Sequence, residues 1–203
     1  MPRSQPDLFA ARLDSSPGNF PDGFPEGLAY QENVFSAGEE RQFLAAVLAL
    51  PLKPFEFHGH LANRRVLSYG LRYDYGGRRL ERSAAVPDFL LPLRERAGAI
   101  ANLPAKAFAH VLVSEYAPGA GIGWHRDKGV FADVVGFSFG ASCLLRFRRK
   151  EEARWRRFSM TVKPRSAYLL RRAARHDWEH SIPPVDLLRY SVTFRSLGSQ
   201  EDG

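Results

Sequence analysis

The sequence has little cysteine and no long hydrophobic run, and each shortage excludes a class of protein. Cys143 is the only cysteine among 203 residues, so a scaffold of intramolecular disulfides is excluded. Because Cys143 lies in the apolar stretch 141–145, we expect a buried side chain rather than a nucleophile. No apolar run approaches the roughly 20 residues of a membrane-spanning helix. Residues 1–16 lack a secretory pattern, so we expect a cytoplasmic protein.

Basic residues outnumber acidic ones, and nearly all of them are arginine. The chain carries 29 Lys and Arg against 22 Asp and Glu, which gives a formal net charge of +7. Such a surface attracts polyanions, and the planar guanidinium suits phosphates and stacked bases. A codon bias toward arginine explains the same composition, so both explanations stay open. The remaining composition is that of an ordinary globular chain of one domain.

Two helices are predicted in the N-terminal half. Ser36, followed three residues later by Glu39, forms a capping-box pattern that predicts a helix ending before Pro51. Apolar residues at helical spacing predict a second helix over 87–102. Between the two, aromatic and polar residues alternate over 55–75, a pattern that predicts short strands and loops.

The second half of the sequence has the pattern of β-strands joined by turns. Short strands in succession, without helices between them, predict an antiparallel sandwich or barrel. We expect the two helices to pack on one face of the larger sheet. The predicted strands are 108–116, 134–139, 143–149, 158–162, 167–170 and 189–195.

Two histidines and an aspartate are candidate metal ligands. His125 and Asp127 stand two positions apart, so on an extended segment their side chains point to the same side. His180 precedes the last predicted strand and offers a second imidazole. Two imidazoles and one carboxylate form the facial triad of non-haem Fe(II) oxygenases, whereas zinc prefers a closed tetrahedron. A hydrogen-bonded turn is the alternative explanation for the His125 and Asp127 pair.

The last predicted strand places two arginines and a threonine on one face. Arg189, Thr193 and Arg195 are separated by even numbers of residues, so they point to the same side of a strand. Arginines that point into a core are costly unless anions pair with them. A dicarboxylate co-substrate would supply such anions. A solvent-exposed face is the alternative, and the residues alone leave it open.

Taken together, these motifs resemble the AlkB-like family of Fe(II)- and 2-oxoglutarate-dependent dioxygenases. The HxD, distal His and RxxxxxR patterns of that family appear in order as His125-Arg126-Asp127, His180 and Arg189 to Arg195. The stretch 111–120 is similar to the family's co-substrate strand, and 64–70 is more weakly similar to its nucleotide-recognition lid. Several elements in the right order are more specific than any one of them.

The resemblance implies an α+β, mainly β fold: a double-stranded β-helix, or jelly roll, with two N-terminal helices packed on the major sheet. Residues 26–107 would hold the helices and the lid region, and residues 108–197 the catalytic core of the same domain. The Pro-, Gly- and Ser-rich residues 1–25 are expected to be a disordered tail, and residues 198–203 a short second tail.

The resemblance also implies the site and its chemistry. Fe(II) would be held by His125, Asp127 and His180, with no further catalytic residue. The implied reaction oxidises an N-alkyl carbon on a nucleobase with O2 and 2-oxoglutarate, releasing succinate, CO2 and an aldehyde. The family commonly has Asn where this chain has Ser114 and Ser191, which changes the expected hydrogen bonds to the co-substrate. The residues implied to bind 2-oxoglutarate are Arg189, Arg195, Tyr116, Thr193 and Ser114.

The substrate is expected to be a nucleobase that leaves its stack to reach the metal. Aromatic side chains would sandwich it, although such residues also fill cores. The basic hairpin 146–157 is expected to track phosphates, and a merely solvated hairpin is the alternative. Gly129 stands where some members have a base-reading acid, so base preference stays open. The candidate substrate-binding residues are Trp124, Tyr69, Tyr73 and Arg65.

Our leading interpretation is repair of alkylated DNA by a monomer that makes no membrane contact. Residues Gln5 to Phe9 are similar to the peptide by which bacterial repair proteins bind the sliding clamp, which favours DNA. An RNA or tRNA demethylase or hydroxylase of the same family is one alternative. A non-catalytic nucleic-acid-binding jelly roll is another, and an oxygenase acting on a small molecule or a protein is a third.

Overall fold

A computed structural model describes residues 24–57, 60–74, 77 and 79–198, without the side chains of 56–57 and 60–62. The predicted clamp peptide Gln5 to Phe9 lies outside the described residues, as do most of tail 1–25 and residues 199–203. The helices are α1 Ala37–Leu48, α2 Leu91–Ala101 and α3 Arg172–His176. The strands are β1 Leu28–Gln31, β2 Lys53–Phe57, β3 His60–Asp74, β4 Arg79–Arg82, β5 Phe108–Tyr116, β6 Ile122–His125, β7 Phe131–Gly140, β8 Cys143–Glu151, β9 Arg154–Val162, β10 Ser166–Leu170, β11 Glu179–Ile182 and β12 Arg189–Leu197.

Two antiparallel sheets form the expected jelly roll. The major sheet has the order β1-β10-β7-β12-β5-β3-β2, with β4 paired to β3. The minor sheet has the order β6-β11-β8-β9. Neighbouring strands in space come from distant parts of the chain, which is characteristic of a double-stranded β-helix. The predicted fold class is confirmed.

Helix α1 begins where the capping box predicts. The Ser36 hydroxyl accepts from the Glu39 amide at 3.2 Å, and the Glu39 carboxylate accepts from the Ser36 amide at 2.7 Å. These bonds satisfy backbone donors that the first turn of a helix leaves unpaired. One face of α1 then buries Phe43 and Val47, and the Phe43 ring stacks on Phe139 of β7 at 4.1 Å between centroids. The helix is thereby packed on the major sheet.

Helix α2 begins at Leu91, later than the predicted residue 87. A 3₁₀ turn over Asp88–Leu90 precedes it, and Pro92 occupies its first turn. Proline has no amide hydrogen, and the first turn of a helix is where that hydrogen has no intrahelical partner. Pro92 therefore sets the start of the regular helix.

Strand β3 replaces the short strands and loops predicted over 55–75. It pairs with β5 as far as Gly70 and then with β4. Gly70 has φ of +73°, and a Cβ there would lie 2.2 Å from the Ala109 carbonyl oxygen. Only glycine tolerates both conditions, so Gly70 lets one long strand leave the major sheet and continue into a hairpin.

The interior consists of two hydrophobic clusters on opposite faces of the major sheet. One lies under α1 and α2, and the other lies between the two sheets. Cys143 belongs to the second cluster and is buried, as predicted, and burial raises the pKa of its thiol. Among the described residues, no helix has the length and apolar character needed to span a membrane.

Candidate metal and co-substrate site

The two candidate histidines face each other on neighbouring strands of the minor sheet. His125 ends β6 and His180 lies on β11, where the two residues are direct partners in the register. Their ring centroids are 4.2 Å apart. Asp127 lies in the loop that follows β6. Strand pairing therefore brings together two imidazoles that are far apart in the sequence.

Both imidazoles are held neutral. Burial lowers the pKa of His180 to about 3, and the neighbouring His125 adds to the effect. Burial also lowers the pKa of His125. The Nδ1 atom of His125 lies 2.9 Å from the Gly123 carbonyl oxygen, so it donates its hydrogen there and leaves the Nε2 lone pair for another group. A neutral imidazole whose other nitrogen is tied in this way is the metal-binding form.

Asp127 is held ionised by an arginine. Burial disfavours its charge, but the nearby positive charge of Arg195 outweighs burial and keeps the pKa of Asp127 well below its usual range. Arg195 donates from Nε to the Oδ1 atom at 2.9 Å, and its Nη2 atom lies 2.8 Å from the same oxygen. Among the described residues, no three His, Cys, Asp or Glu side chains are positioned as they stand to hold a metal ion together.

Arg195 is surrounded by partners from the protein itself. Its Nη1 atom donates to the Thr193 hydroxyl at 2.8 Å and lies 3.3 Å from Nδ1 of His110. His110 accepts in its neutral form, because burial and the Arg195 charge lower its pKa to about 3. Together with Asp127, these contacts give the buried guanidinium a full set of neighbours.

Arg189 is fully buried and lacks such partners. Its Nε atom donates to the Ser138 hydroxyl at 3.0 Å, and its guanidinium lies 5.0 Å from the Tyr116 ring centroid. Its Nη1 and Nη2 atoms have no hydrogen-bond partner among the described residues. A buried cation with two unsatisfied donor groups is costly, and a carboxylate that accepts both bonds would satisfy it. This observation fits a dicarboxylate such as 2-oxoglutarate.

All five residues predicted to bind 2-oxoglutarate lie on one buried face of the major sheet. In the register, Arg189 pairs with Tyr116 and Ser191 pairs with Ser114. The exposed fraction of Arg189 is 0% and that of Arg195 is 9%. The alternative of a solvent-exposed face is therefore wrong, and the face lines the space between the two sheets.

Two of the candidate substrate residues face away from this space. Arg65 pairs with Glu115 through two 2.7 Å hydrogen bonds, and Tyr69 is buried in the cluster beneath the helices. Strand β3 alternates its side chains, and the register aligns Arg65 with Glu115 and Tyr69 with Val111 on the helix side of the sheet. This placement corrects the prediction that Tyr69 sandwiches the reacting base, and it puts the predicted substrate-binding residue Arg65 on the face of the sheet opposite the candidate ligands.

Trp124 also points away, and Tyr73 lies near the site. Trp124 precedes His125 on β6, so its side chain lies on the opposite face of the minor sheet, where Arg146 and Arg148 cover its ring. It does not sandwich a base beside His125, which corrects that prediction. The Tyr73 ring lies 5.1 Å from the Lys128 ammonium, next to Asp127.

Sequence reasoning missed several buried groups around the site. Arg64 is 8% exposed, lies 4.4 Å from the Phe55 ring centroid, and its charge helps lower the pKa of His125. Arg175 of α3 donates from Nη2 to the carbonyls of Lys128 and Phe131, which anchors the loop after Asp127. Arg175 belongs to no sequence motif. Arg64 lies in the lid-like stretch 64–70, but only the register of β3 could have distinguished it from Arg65. The other missed residues are His110 and Ser138.

Comparison with known proteins finds relatives along most of the chain. A model of the 2OG-Fe(II) oxygenase superfamily matches residues 31–195. The chain is 30% identical over 196 residues to the "Alkylated DNA repair protein ALKBH8 homolog" of Arabidopsis thaliana, covering 84% of this chain and 55% of that protein. It is 29% identical over 191 residues to the "Probable RNA/DNA demethylase ALKBH6" of Danio rerio, covering 87% and 79%.

A viral protein and a solved structure are also similar to the chain. The "Uncharacterized protein L905" of Acanthamoeba polyphaga mimivirus is 28% identical over 100 residues, covering 43% of this chain and 47% of that protein. The chain thus spans about half the length of the Arabidopsis and mimivirus relatives. The structure entitled "The structure of OsALKBH1" has the same fold, with a TM-score of 0.66 at 14% identity, covering 85% of this chain and 97% of that one. With its fold and its match over residues 31–195, the chain belongs to the AlkB-like branch of the 2OG-Fe(II) oxygenase superfamily.

Proposed function

We propose that this chain oxidatively dealkylates N-alkylated bases in nucleic acid, with DNA as the polymer. The superfamily uses Fe(II) and 2-oxoglutarate. The observation that carries the proposal is the buried Arg189 guanidinium, whose two terminal nitrogens lack a partner among the described residues. It lies on the same interior face as Arg195, which bonds the candidate ligand Asp127. One interior thus combines an anion receptor with the candidate metal ligands.

His125, Asp127 and His180 are the proposed ligands of Fe(II). The imidazoles are neutral and the carboxylate is ionised, which are the protonation states that bind a metal. Arg195 contacts Asp127 at Oδ1, so Oδ2 is the oxygen that we expect to ligate. When bound, Fe(II) and 2-oxoglutarate supply the activation of O2 and the oxidation of a C–H bond.

Arg189 is the proposed partner of the distal carboxylate of 2-oxoglutarate. Ser138 accepts from Nε and orients the guanidinium, so both terminal nitrogens can donate to one carboxylate that binds bidentately. Tyr116 borders the guanidinium, and Ser114 and Ser191 line the same face with small hydroxyls. Because Arg189 is fully buried, charge-assisted bonds to it are stronger than they would be in solvent.

A nucleic-acid substrate is supported by charge and by the names of the relatives. The formal net charge of +7 favours a polyanion. The Arabidopsis relative is named for alkylated DNA repair, and the Danio relative is named as a probable RNA/DNA demethylase. RNA is therefore the second candidate polymer. Since the candidate ligands lie between the sheets, the base must leave its stack, and Tyr73 is the described aromatic residue placed to receive it.

The test is reconstitution of the full chain with Fe(II) and 2-oxoglutarate without air, followed by admission of O2. Methylated single-stranded DNA, double-stranded DNA and tRNA are compared with their unmethylated counterparts, and succinate and formaldehyde are measured. Formaldehyde that depends on the methyl group establishes dealkylation and identifies the polymer. Succinate without formaldehyde on any polymer would refute dealkylation but would still support oxygenase activity. If neither succinate nor formaldehyde forms, a non-catalytic nucleic-acid-binding protein is favoured.

A further inference from the structure

A cluster of tryptophan and arginine covers the outer face of the minor sheet, behind the candidate ligands. On β8, Phe147 points inward against His180, with ring centroids 6.2 Å apart. Its neighbours Arg146 and Arg148 therefore point outward. They meet Trp124 of β6 on that outer face. We call Trp124, Arg146, Arg148 and Trp155 the outer stack.

The outer stack alternates indole and guanidinium groups. The Arg148 guanidinium lies 4.5 Å from the Trp124 ring centroid and 4.4 Å from that of Trp155, so it is placed between the two rings. The Arg146 guanidinium lies 5.0 Å from Trp124. Such cation–π contacts fix the orientation of rings that would otherwise be mobile on a surface.

The two arginines are held by their Nε atoms. Arg148 donates from Nε to Glu179 at 2.6 Å, and Arg146 donates from Nε to the Ser181 hydroxyl at 3.1 Å. Each of these bonds uses one of the five N–H donors of a guanidinium. The terminal nitrogens are the part of each guanidinium that suits phosphate oxygens.

The strands that carry the stack hold most of the excess charge of the chain. The segment 143–162 contains seven basic and two acidic residues, a net charge of +5 within a chain of +7. Trp155 is 38% exposed, although a tryptophan of ordinary packing is largely buried. Of the exposed basic residues, Lys150 and Arg157 share the outer face with Trp155, because the register pairs Lys150 with Trp155 and Arg148 with Arg157.

We propose that the outer stack binds the single-stranded nucleic acid that flanks the reacting base. Bases can stack on Trp155, and phosphates can pair with the surrounding arginines, which is how proteins hold single strands without reading their sequence. A duplex has its bases already stacked on one another, so it offers no free base to the indole. The inference deepens the proposed function, because the same polymer would occupy the interior site and the outer stack.

The position of β6 connects the interior site with the outer stack. β6 is an edge strand of the minor sheet and carries Trp124 beside His125, with the two side chains on opposite faces. A single strand of nucleic acid that passes around this edge of the sheet would have one base on the interior side and the neighbouring bases on the outer stack. The distance to be crossed is one sheet thickness, roughly 10 Å, or a few nucleotides.

The experiment measures binding of the full chain to an unmodified fluorescent 20-nucleotide DNA, as a single strand and as a duplex, by anisotropy. Trp155→Ala should weaken binding of the single strand about 10-fold, because one base loses its stacking partner. Trp155→Phe should restore most of that loss. Binding of the duplex and of heparin, a polyanion without bases, should change less than about 2-fold, because the arginines remain. Leu48→Ala, which removes a 69% exposed side chain from α1, is the control.

Unchanged single-strand binding by Trp155→Ala would overturn the proposal. Equal losses of affinity for the single strand, the duplex and heparin, in a variant whose melting temperature is unchanged, would also overturn it. Such losses would mean that the surface binds through charge alone. Binding to phosphatidylserine vesicles that depends on Trp155, with no such dependence for the oligonucleotide, would also overturn it. The assay uses neither iron nor methylated bases. Failure of formaldehyde release by the wild-type chain would therefore refute the proposed function without touching this result.

Discussion

An arginine lies at each end of the interior face of β12, and the two arginines differ in the hydrogen-bond partners that surround them. At one end Arg195 bonds Asp127 and Thr193 and has His110 beside it. At the other end Arg189 is more deeply buried, yet of its three nitrogens only Nε has a partner among the described residues. The strand thus carries one guanidinium that is satisfied by the protein and one that is not.

The difference assigns different roles to two residues of one motif. A buried cation without a partner destabilises a fold by several kcal/mol, so a stable domain retains one where a ligand supplies the counter-charge. Arg195 instead orients the Asp127 carboxylate and belongs to the architecture around the proposed metal ligands. We infer that the Arg189 end receives an anion from outside, and that the Arg195 end is complete in its polar contacts.

Asp127→Asn tests the Arg195 end of the β12 face and should have the largest effect on activity. The amide oxygen still accepts from Arg195, so the fold is retained, but a neutral amide is a poor Fe(II) ligand. We expect loss of metal binding, measured by anaerobic titration with Fe(II), and at least a roughly 100-fold drop in succinate formation. Asp127→Ala is a less clean test, because it would leave the buried Arg195 unpaired. Turnover at the wild-type rate would sink the ligand assignment.

Replacing each arginine by methionine in turn should distinguish the roles of Arg189 and Arg195 directly. Arg189→Met removes an unpartnered charge, so the free energy of unfolding without ligand should stay equal or rise, while the 2-oxoglutarate concentration needed for half-maximal turnover rises about 100-fold. Arg195→Met leaves Asp127 buried without its cation and should cost about 3 kcal/mol. Urea unfolding and co-substrate titration give both numbers. The reverse pattern of stabilities would mean that Arg189, and not Arg195, is the arginine whose partners belong to the protein.

His110 should make the Arg195 end sensitive to acid. Burial and the Arg195 charge lower its pKa to about 3, whereas an unfolded histidine titrates near pH 6.5. Between these values the unfolded state binds the extra proton, so the free energy of unfolding rises with pH and falls on acidification. This group contributes up to about 1.4 kcal/mol per pH unit. His110→Gln should remove that part of the slope in urea unfolding of the metal-free protein, and an identical slope would assign the proton to another group.

Arg65→Ala should have the smallest effect. Its ion pair with Glu115 is half exposed at the arginine and faces the helix side of the sheet, away from both ends of the β12 face. Ion pairs with an exposed partner contribute little to stability, so the melting temperature should fall only slightly. Succinate formation should stay within about 2-fold of the wild-type rate. A large rise in the 2-oxoglutarate requirement would return Arg65 to the site.

The sequence predicted what depends on local pattern and missed what depends on strand register. The α1 capping box and the alternation of β12 are local, so the start of the helix and the shared face of Arg189 and Arg195 followed from spacing alone. Arg65 and Trp124 were misplaced because a shift of one position moves a side chain to the other face of a sheet. No spacing could show which of two neighbouring residues faces inward until their partners were known.

The strand order also sets which part of the molecule comes apart first. β12 is hydrogen-bonded on both sides, to β5 and β7, whereas β9 is the edge of a four-stranded sheet with one free side. Amide hydrogens of β12 should therefore exchange with solvent only through global unfolding, and those of β9 through local opening. On gentle heating the protein should therefore stop binding nucleic acid at the outer stack while Arg189 still binds 2-oxoglutarate. The two binding activities would be lost one after the other.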